Sequence, residues 1–250
     1  MLYQAHRGVC TECPENTLPA FQTAWEQGYR VIEMDPKFTV DGVCVLHHDW
    51  TVNRTCRTAA GEPFAEETKV NDLTWEQLRE LDAGLWFGEA FRGTRIPTLA
   101  ETLELCRRWG VHVKIDNVYA HFPEEQQEAL FALAEASGAD VGFTCFHADM
   151  VSRVARRLPR ATIHYDGPVT EESLSEVKAL LKENPLVVWL PMDVSWCKMP
   201  EATPERCALV KQYGKLGLWI LETNDQEAKA LALGADIVET PGQLKPGKQP

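Results

Sequence analysis

Short apolar runs alternate with amphipathic stretches from one end of the chain to the other. The runs at Tyr3–Ala5, Val31–Asp35, Val111–Asp116, Val141–Cys145, Thr162–Tyr165, Leu186–Leu190, Leu218–Leu221 and Asp236–Glu239 have the length and composition of buried strands. Between them, Thr17–Gln27, Pro123–Ala136, Asp149–Leu158, Glu171–Lys182, Pro204–Tyr213 and Asp225–Leu233 repeat apolar residues at helical spacing. Strands separated by helices call for parallel crossovers, and closing the sheet on itself leaves no bare edge. The pattern predicts an α/β fold, a (β/α)8 barrel. A doubly wound open sheet is the structural rival, weakened because no G-x-G-x-x-G follows the first strand.

Two stretches break the alternation. In Pro36–Asp49, Lys37–Val40 and Val43–Leu46 flank Asp41-Gly42, a hairpin signal. A two-residue turn there sets Asp35 directly opposite His48. The second stretch, about 51–97, is too long for a plain loop, and Thr74 with Gln77 matches a capping box inside it. It reads as a small inserted subdomain after the second strand, over one rim of a single domain spanning 1–250. The tail from Lys245 to Pro250 is expected to fray.

Composition narrows the function. Acidic residues outnumber basic ones 37 to 25, giving a net charge of −12, which argues against a nucleic-acid partner. No apolar run is long enough to span a bilayer, and the N-terminus lacks a signal-peptide pattern, so a cytoplasmic protein without membrane insertion is expected. Eight cysteines, including Cys10 and Cys13 in C-x-x-C spacing, are expected as unpaired thiols in that compartment.

Barrel chemistry sits at the C-terminal ends of the strands. His6 and Arg7 end the first strand, Glu33 and Asp35 the second, Lys114 and Asp116 the third, and the hairpin delivers His48. Residues two apart share a strand face, so these groups converge. Paired carboxylates need a cation or a proton between them, and an oxygen donor set suits Ca2+ or Mg2+. Arg7 offers a planar fork for phosphate oxygens, and two imidazoles can divide proton removal and proton donation. That inventory suits cleavage of an anionic ester beside a hard metal ion. Each residue alone has a plainer reading as a structural histidine, a solvated strand end or a simple ion pair. His47 is expected on the opposite face of its strand, and His112, His121, His147 and His164 at the surface or behind the site. Trp219 is expected to pack in the barrel.

The run His6-Arg7-Gly8, Pro14-Glu15-Asn16-Thr17, Ala20-Phe21, Gly28, Glu33-x-Asp35, Thr39-x-Asp41-Gly42, His48-Asp49 and Arg54-Thr55 resembles the glycerophosphodiester phosphodiesterase family. The likeness continues through Leu81-Asp82-Ala83-Gly84 and Ile96-Pro97-Thr98-Leu99, with weaker echoes as far as Thr240. The resemblance implies a (β/α)8 barrel with a small insertion that hydrolyses glycerophosphodiesters to sn-glycerol 3-phosphate and an alcohol with Ca2+ or Mg2+. It implies His6 and His48 as the acid–base pair, Glu33 and Asp35 as metal ligands and Arg7 on the phosphate of a small-molecule substrate. The family usually reads Glu-x-Lys on the third strand, the Glu on the metal and the Lys on the phosphate; here Lys114-Ile115-Asp116 reverses the charges. Asp116 then stands as the third ligand and Lys114 as the phosphate contact, or Lys114 takes the cation's place beside Glu33 or Asp35. Leu221-Glu222-Thr223-Asn224 replaces the family's Trp-Thr-x-Asn run, which bears on the glycerol part of the substrate. Two alternatives stay open: a barrel that forms a cyclic phosphate, and one that binds a phosphodiester without turnover. The alcohol, the preferred ion and the oligomeric state are not written in the chain.

Overall fold

A computed structural model describes residues 1–192 and 201–247. Eight strands form a closed parallel barrel: β1 (Leu2–Ala5), β2 (Val31–Met34), β5 (His112–Ile115), β6 (Val141–Cys145), β7 (Thr162–Tyr165), β8 (Leu186–Pro191), β9 (Lys215–Trp219) and β10 (Ile237–Thr240). β10 closes on β1 in register, Leu2 beside Ile237 and Ala5 beside Thr240. A separate antiparallel hairpin, β3 (Pro36–Phe38) with β4 (Cys44–Leu46), follows β2. The strand between Leu218 and Leu221 expected from sequence lies earlier, at Lys215–Trp219. Its hydrophobic run is interrupted by Gly217, which hides the start of the strand from a hydropathy reading.

Outer helices cover the barrel: α1 (Leu18–Glu26), α3 (Leu99–Trp109), α4 (Glu124–Ser137), α5 (Ala148–Arg157), α6 (Glu171–Leu180), α7 (Pro204–Val210) and α8 (Asn224–Ala232). Capping fixes several starts. The Thr170 and Thr223 hydroxyls accept from the third residue of α6 and α8, and both complete capping boxes. Leu99, Leu103 and Cys106 of α3, Leu130 and Phe131 of α4, and Val151 and Val154 of α5 pack on the outward residues Ile32, Met34, Ile115 and Phe143. No helix among the described residues is long and apolar enough to cross a membrane.

Between β4 and α3 the chain runs through a short helix, α2 (Trp75–Leu78), two 3-10 turns and isolated bridges that pair Thr51 with Lys69 and Arg57 with Asp82. Thr74 and Gln77 form the capping box at the start of α2. Val52, Cys56, Val70, Leu78, Leu81, Ala83 and Ile96 form a small core of their own with Val45 of the hairpin. The Asp82 carboxylate gathers this segment by accepting backbone N–H groups from Gly84 at 2.9 Å, Leu85 at 2.8 Å and Gly93 at 2.7 Å.

The barrel interior departs from the branched aliphatic layers usual in this architecture. Val187, Trp189 and Ile237 form only a small apolar cluster there. Gln4, Lys114, His164 and Glu239 are all buried polar groups on strands. Two glycines make the space. A Cβ on Gly217 would lie 2.4 Å from the Trp189 ring, and one on Gly142 would lie 2.6 Å from His164 Nε2. The expectation that His164 sits at the surface or just behind the site is corrected: it is fully buried inside the barrel. All the described cysteines are free thiols; Cys197 lies outside the described residues, as does the end of the tail from 248 to 250.

Candidate active site at the C-terminal mouth

The end of β1 turns sharply. Arg7 takes a left-handed backbone (φ 57°) and so does Asn16 (φ 54°), both unusual without glycine. Each is held by the site it serves. Arg7 N donates to Glu33 Oε2 at 2.9 Å, and Asn16 N donates to Arg7 O at 3.0 Å. The Asn16 amide then clasps Asp35, donating to Oδ2 at 2.7 Å and accepting from Asp35 N at 3.2 Å. Local strain of this kind persists where surrounding contacts over-determine it. The result aims the Arg7 side chain between Glu15 (3.2 Å) and Asp35 (3.4 Å).

Glu33, Asp35 and Asp116 bring one carboxylate oxygen each to within 4.8 Å of one another. Glu33 and Asp35 come from alternate positions at the end of β2; Asp116 follows β5 and also accepts from Val118 N at 3.1 Å. Burial, then Asp35, pushes the Glu33 carboxyl well up, and burial with Asp35 also raises Asp116. Burial pulls Asp35 the same way, but Arg7, His48 and Asn16 hold it below the usual range. Three carboxylates that repel one another, two of them buried, are costly without a cation or a proton between them. The donor set is oxygen only, which fits a hard divalent ion.

The hairpin register differs from the sequence expectation. Its loop holds three residues, with Gly42 in the left-handed region (φ 82°), and Pro36 pairs with Leu46. The extra residue shifts the pairing by one, so His47 N bonds to Asp35 O at 2.9 Å and His47, not His48, faces Asp35 across the strands. His47 is buried, its ring nitrogens on Asp49 O and the Thr55 hydroxyl. His48 stands just past the strand with its side chain 40% exposed, and its Nδ1 lies 2.6 Å from Asp49 Oδ1. A carboxylate only accepts, so Nδ1 carries a hydrogen and Nε2 is the ring nitrogen not bound by Asp49.

An ionic belt ties the histidine to the arginine. Arg54 grips Asp49 through Nε at 2.7 Å and Glu15 through both terminal nitrogens at 2.9 and 2.7 Å, and Glu15 reaches Arg7. Glu15, Asp49 and Arg54 belong to quoted motifs, but residue type alone did not assign them a part. Lys37 is a further charged residue at this mouth that no sequence motif marks. Its ammonium is buried, donates to His47 O at 3.0 Å and lies over the Trp50 ring; burial lowers its pKa against the opposing pull of Asp35 and Asp116.

Lys114 does not pair with Glu33 or Asp35. It donates to Glu239 Oε2 at 3.1 Å and lies 4.3 Å from the centre of the Trp189 ring. Glu239 also accepts from Gln4 Nε2 and lies 3.8 Å from His6 Nε2. Glu239 is a residue sequence reasoning missed; its position two after Ile237, at the C-terminal end of the last strand, was the available signal. Burial lowers the His6 pKa, opposed by Glu239, so the ring is held neutral. Asp166, after β7, is pushed up to about 7 by burial against the pull of Lys114, and accepts from Trp219 Nε1 at 3.1 Å.

The fold is a closed parallel barrel whose C-terminal mouth gathers an oxygen-only carboxylate cluster, two imidazoles and a guanidinium. The sequence pattern of the Glycerophosphoryl diester phosphodiesterase family matches residues 6–240, and the chain belongs to that family. A glycerophosphodiester phosphodiesterase of Caldanaerobacter subterraneus is 41% identical over 133 residues, 52% of this chain and 51% of that protein. Glycerophosphodiester phosphodiesterase 1 of Mus musculus is 36% identical over 135 residues, 48% of this chain and 38% of its own length. The aligned part thus spans about half or less of these relatives. Among solved structures, an Oleispira antarctica phosphodiesterase in complex with the product sn-glycerol-3-phosphate superposes with a TM-score of 0.77, at 20% identity, over 97% of this chain and 94% of that one. A putative glycerophosphodiester phosphodiesterase of Galdieria sulphuraria gives 0.74 at 20% identity over the same shares. These structural likenesses establish the fold.

Proposed function

We propose that the chain hydrolyses glycerophosphodiesters to sn-glycerol 3-phosphate and an alcohol, assisted by a divalent cation. The observation that carries this reading is the cluster of Glu33, Asp35 and Asp116 set between His6, His48 and Arg7. A Ca2+ or Mg2+ ion held by the three carboxylates would neutralise charge on the phosphoryl oxygens. Asp116 takes the third place although the third strand carries its charges in reversed order, because Lys114 is already engaged by Glu239.

The side chains divide the remaining work. Arg7, fixed by Glu15 and Asp35, presents its fork to the non-bridging phosphate oxygens. His6 is kept neutral by burial and is the general base that takes the proton from the attacking water. His48, as the imidazolium with its Nδ1–H held by Asp49, gives its Nε2 proton to the leaving alkoxide. Lys114 contributes charge from beneath the mouth and holds Glu239 against the base. Residues 1–250 act as a single domain in which 51–97 forms an inserted rim unit carrying the Arg54 arm of the ionic belt. A cytoplasmic setting belongs to the same reading, and the net charge of −12 supports a small-molecule rather than a nucleic-acid partner.

The test is a panel of glycerophosphodiesters followed by phosphorus NMR with Ca2+ or Mg2+. Release of sn-glycerol 3-phosphate by the native chain, and its loss in His6→Ala and His48→Ala, is the expected outcome. Full activity in either variant would overturn the assigned roles, and a persistent cyclic phosphate would assign the chain to a cyclising reaction instead.

A further inference from the structure

The opposite, N-terminal mouth of the barrel holds a second polar site. A cavity of about 370 Å3 opens there, lined by Arg30, Arg160, Lys215, His112, His164 and Asp140, among others. This volume lies within the range of small-ligand sites. The chain as a whole carries −12, yet here three cations face one carboxylate. That carboxylate is already engaged, with Asp140 Oδ1 lying 3.1 Å from His112 Nδ1. Among the described residues, no carboxylate lies within 4.0 Å of the side-chain nitrogens of Arg30 or Lys215, while the partner of Arg160 is Glu183, with both side chains mostly exposed (86% and 72%). Exposed pairs of that kind are worth little and are easily exchanged.

The floor of the cavity is a hydrogen-bonded file whose proton positions follow from one end. Trp189 Nε1 can only donate, and it meets His164 Nδ1 at 3.0 Å. His164 therefore carries its hydrogen on Nε2 and donates it to His112 Nε2 at 2.9 Å. His112 then carries its hydrogen on Nδ1, where it donates to Asp140. Both rings are thus neutral and fully bonded, and the positive charge of this mouth rests on the two guanidiniums and the ammonium above them. Planar guanidinium forks beside a point-charge ammonium are the donor set for a tetrahedral dianion.

We propose that the N-terminal mouth is a phosphate-class anion site, held by Arg30, Lys215 and Arg160 with His112 at its floor, separate from the reaction mouth at the other end of the barrel. Free phosphate and the phosphoryl group of a phosphomonoester share this chemistry. The site does not depend on the proposed hydrolysis.

The experiment titrates the full chain, labelled with 15N-histidine, with inorganic phosphate in one arm and glycerol phosphate in the other, at constant ionic strength set with chloride. The His112 ring signals, assigned by their loss in His112→Gln, report this mouth, and the His6 signals report the other. A saturable His112 shift is expected, with a midpoint moved at least about tenfold higher in Arg30→Gln/Lys215→Gln, since two charge-assisted bonds are lost. Both replaced side chains are exposed, so the variant keeps its fold. Saturation by both anions assigns the site to the phosphoryl group, and saturation by inorganic phosphate alone assigns it to the free ion. A shift that chloride alone reproduces, an unchanged midpoint in the variant, or no His112 shift in either arm would overturn the proposal.

Discussion

The two mouths of this barrel are built from the same strands and carry opposite chemistry. Along β5 the inward residues run from His112 through Lys114 to Asp116, and along β7 from His164 to Asp166. Each strand thus passes from imidazole at the N-terminal mouth to carboxylate at the C-terminal one. At the C-terminal mouth Glu33, Asp35, Asp116 and Asp166 outnumber Arg7 and Lys37; at the N-terminal mouth Arg30, Arg160 and Lys215 outnumber Asp140. The acidic end suits a cation with an oxyanion bound to it, the basic end an oxyanion alone. Between them the Lys114–Glu239 pair sits in the interior where aliphatic layers usually stand, so polarity is continuous through the barrel.

The largest effects should come from the acidic mouth. Glu33→Gln or Asp35→Asn removes one carboxylate of the proposed cation site, and steady-state kinetics should show kcat/KM falling by about 10^3-fold or more, the loss of several kcal/mol of charge stabilisation. His6→Ala and His48→Ala should each cost about 10^2- to 10^4-fold, the range of general acid–base catalysis. The same variants should leave phosphate-induced His112 shifts at the basic mouth unchanged. If they abolish both, the two ends are not independent.

Next comes the pair that joins the mouths. Lys114→Met leaves Glu239 buried without its partner, and urea denaturation should show a loss of about 3–5 kcal/mol. Adding Glu239→Gln should recover part of it; a strictly additive double variant would show that the pair is not coupled. Gly217→Ala drives a methyl group into the Trp189 ring, 2.4 Å away, and overpacking of this kind costs about 1–3 kcal/mol in chemical denaturation.

The smallest effect is a pH slope. Burial, followed by His112 and Lys114, pushes the His164 imidazole well below its ordinary value. An unfolded chain takes up a proton at this residue near pH ~6.5 while the folded chain does not. The unfolded state therefore binds more protons as pH falls, and the stability present above about pH 6.5 declines below it by at most ~1.4 kcal/mol per pH unit. Urea denaturation between about pH 7 and pH 5 should show a shallower decline in His164→Gln than in the native chain. An equal slope would remove His164 as its source.

Much of this was legible in the chain, and the misses have physical causes. The strands and most outer helices are readable because burial on one side imposes a period, and His6, Arg7, Glu33 and Asp35 follow from strand ends. Helix α3 escapes a reading by periodicity although Thr98 caps it and Leu99, Leu103 and Cys106 mark its buried face, because it sits against the end of the irregular rim segment. The hairpin register differs from the sequence expectation by one residue: Asp41-Gly42 looks like a two-residue turn, but the loop includes Val40. That single position decides whether His47 or His48 opposes Asp35. Asp166 and the imidazole file are hidden for another reason, and so is the part Glu239 plays, although its strand-end position is readable. Their significance depends on which strands become neighbours when the barrel closes, and no local pattern encodes that β10 meets β1 or that β5 lies two strands from β7.

We propose the acidic mouth as a divalent-cation phosphodiesterase site. Its most direct test strips the protein of metal, then follows a glycerophosphodiester by phosphorus NMR while Ca2+ or Mg2+ is added back. The account predicts no turnover in the stripped protein, release of sn-glycerol 3-phosphate that saturates with the ion, and no such rescue in Asp35→Asn. Turnover that persists unchanged without metal, or no turnover with any divalent ion, would contradict it.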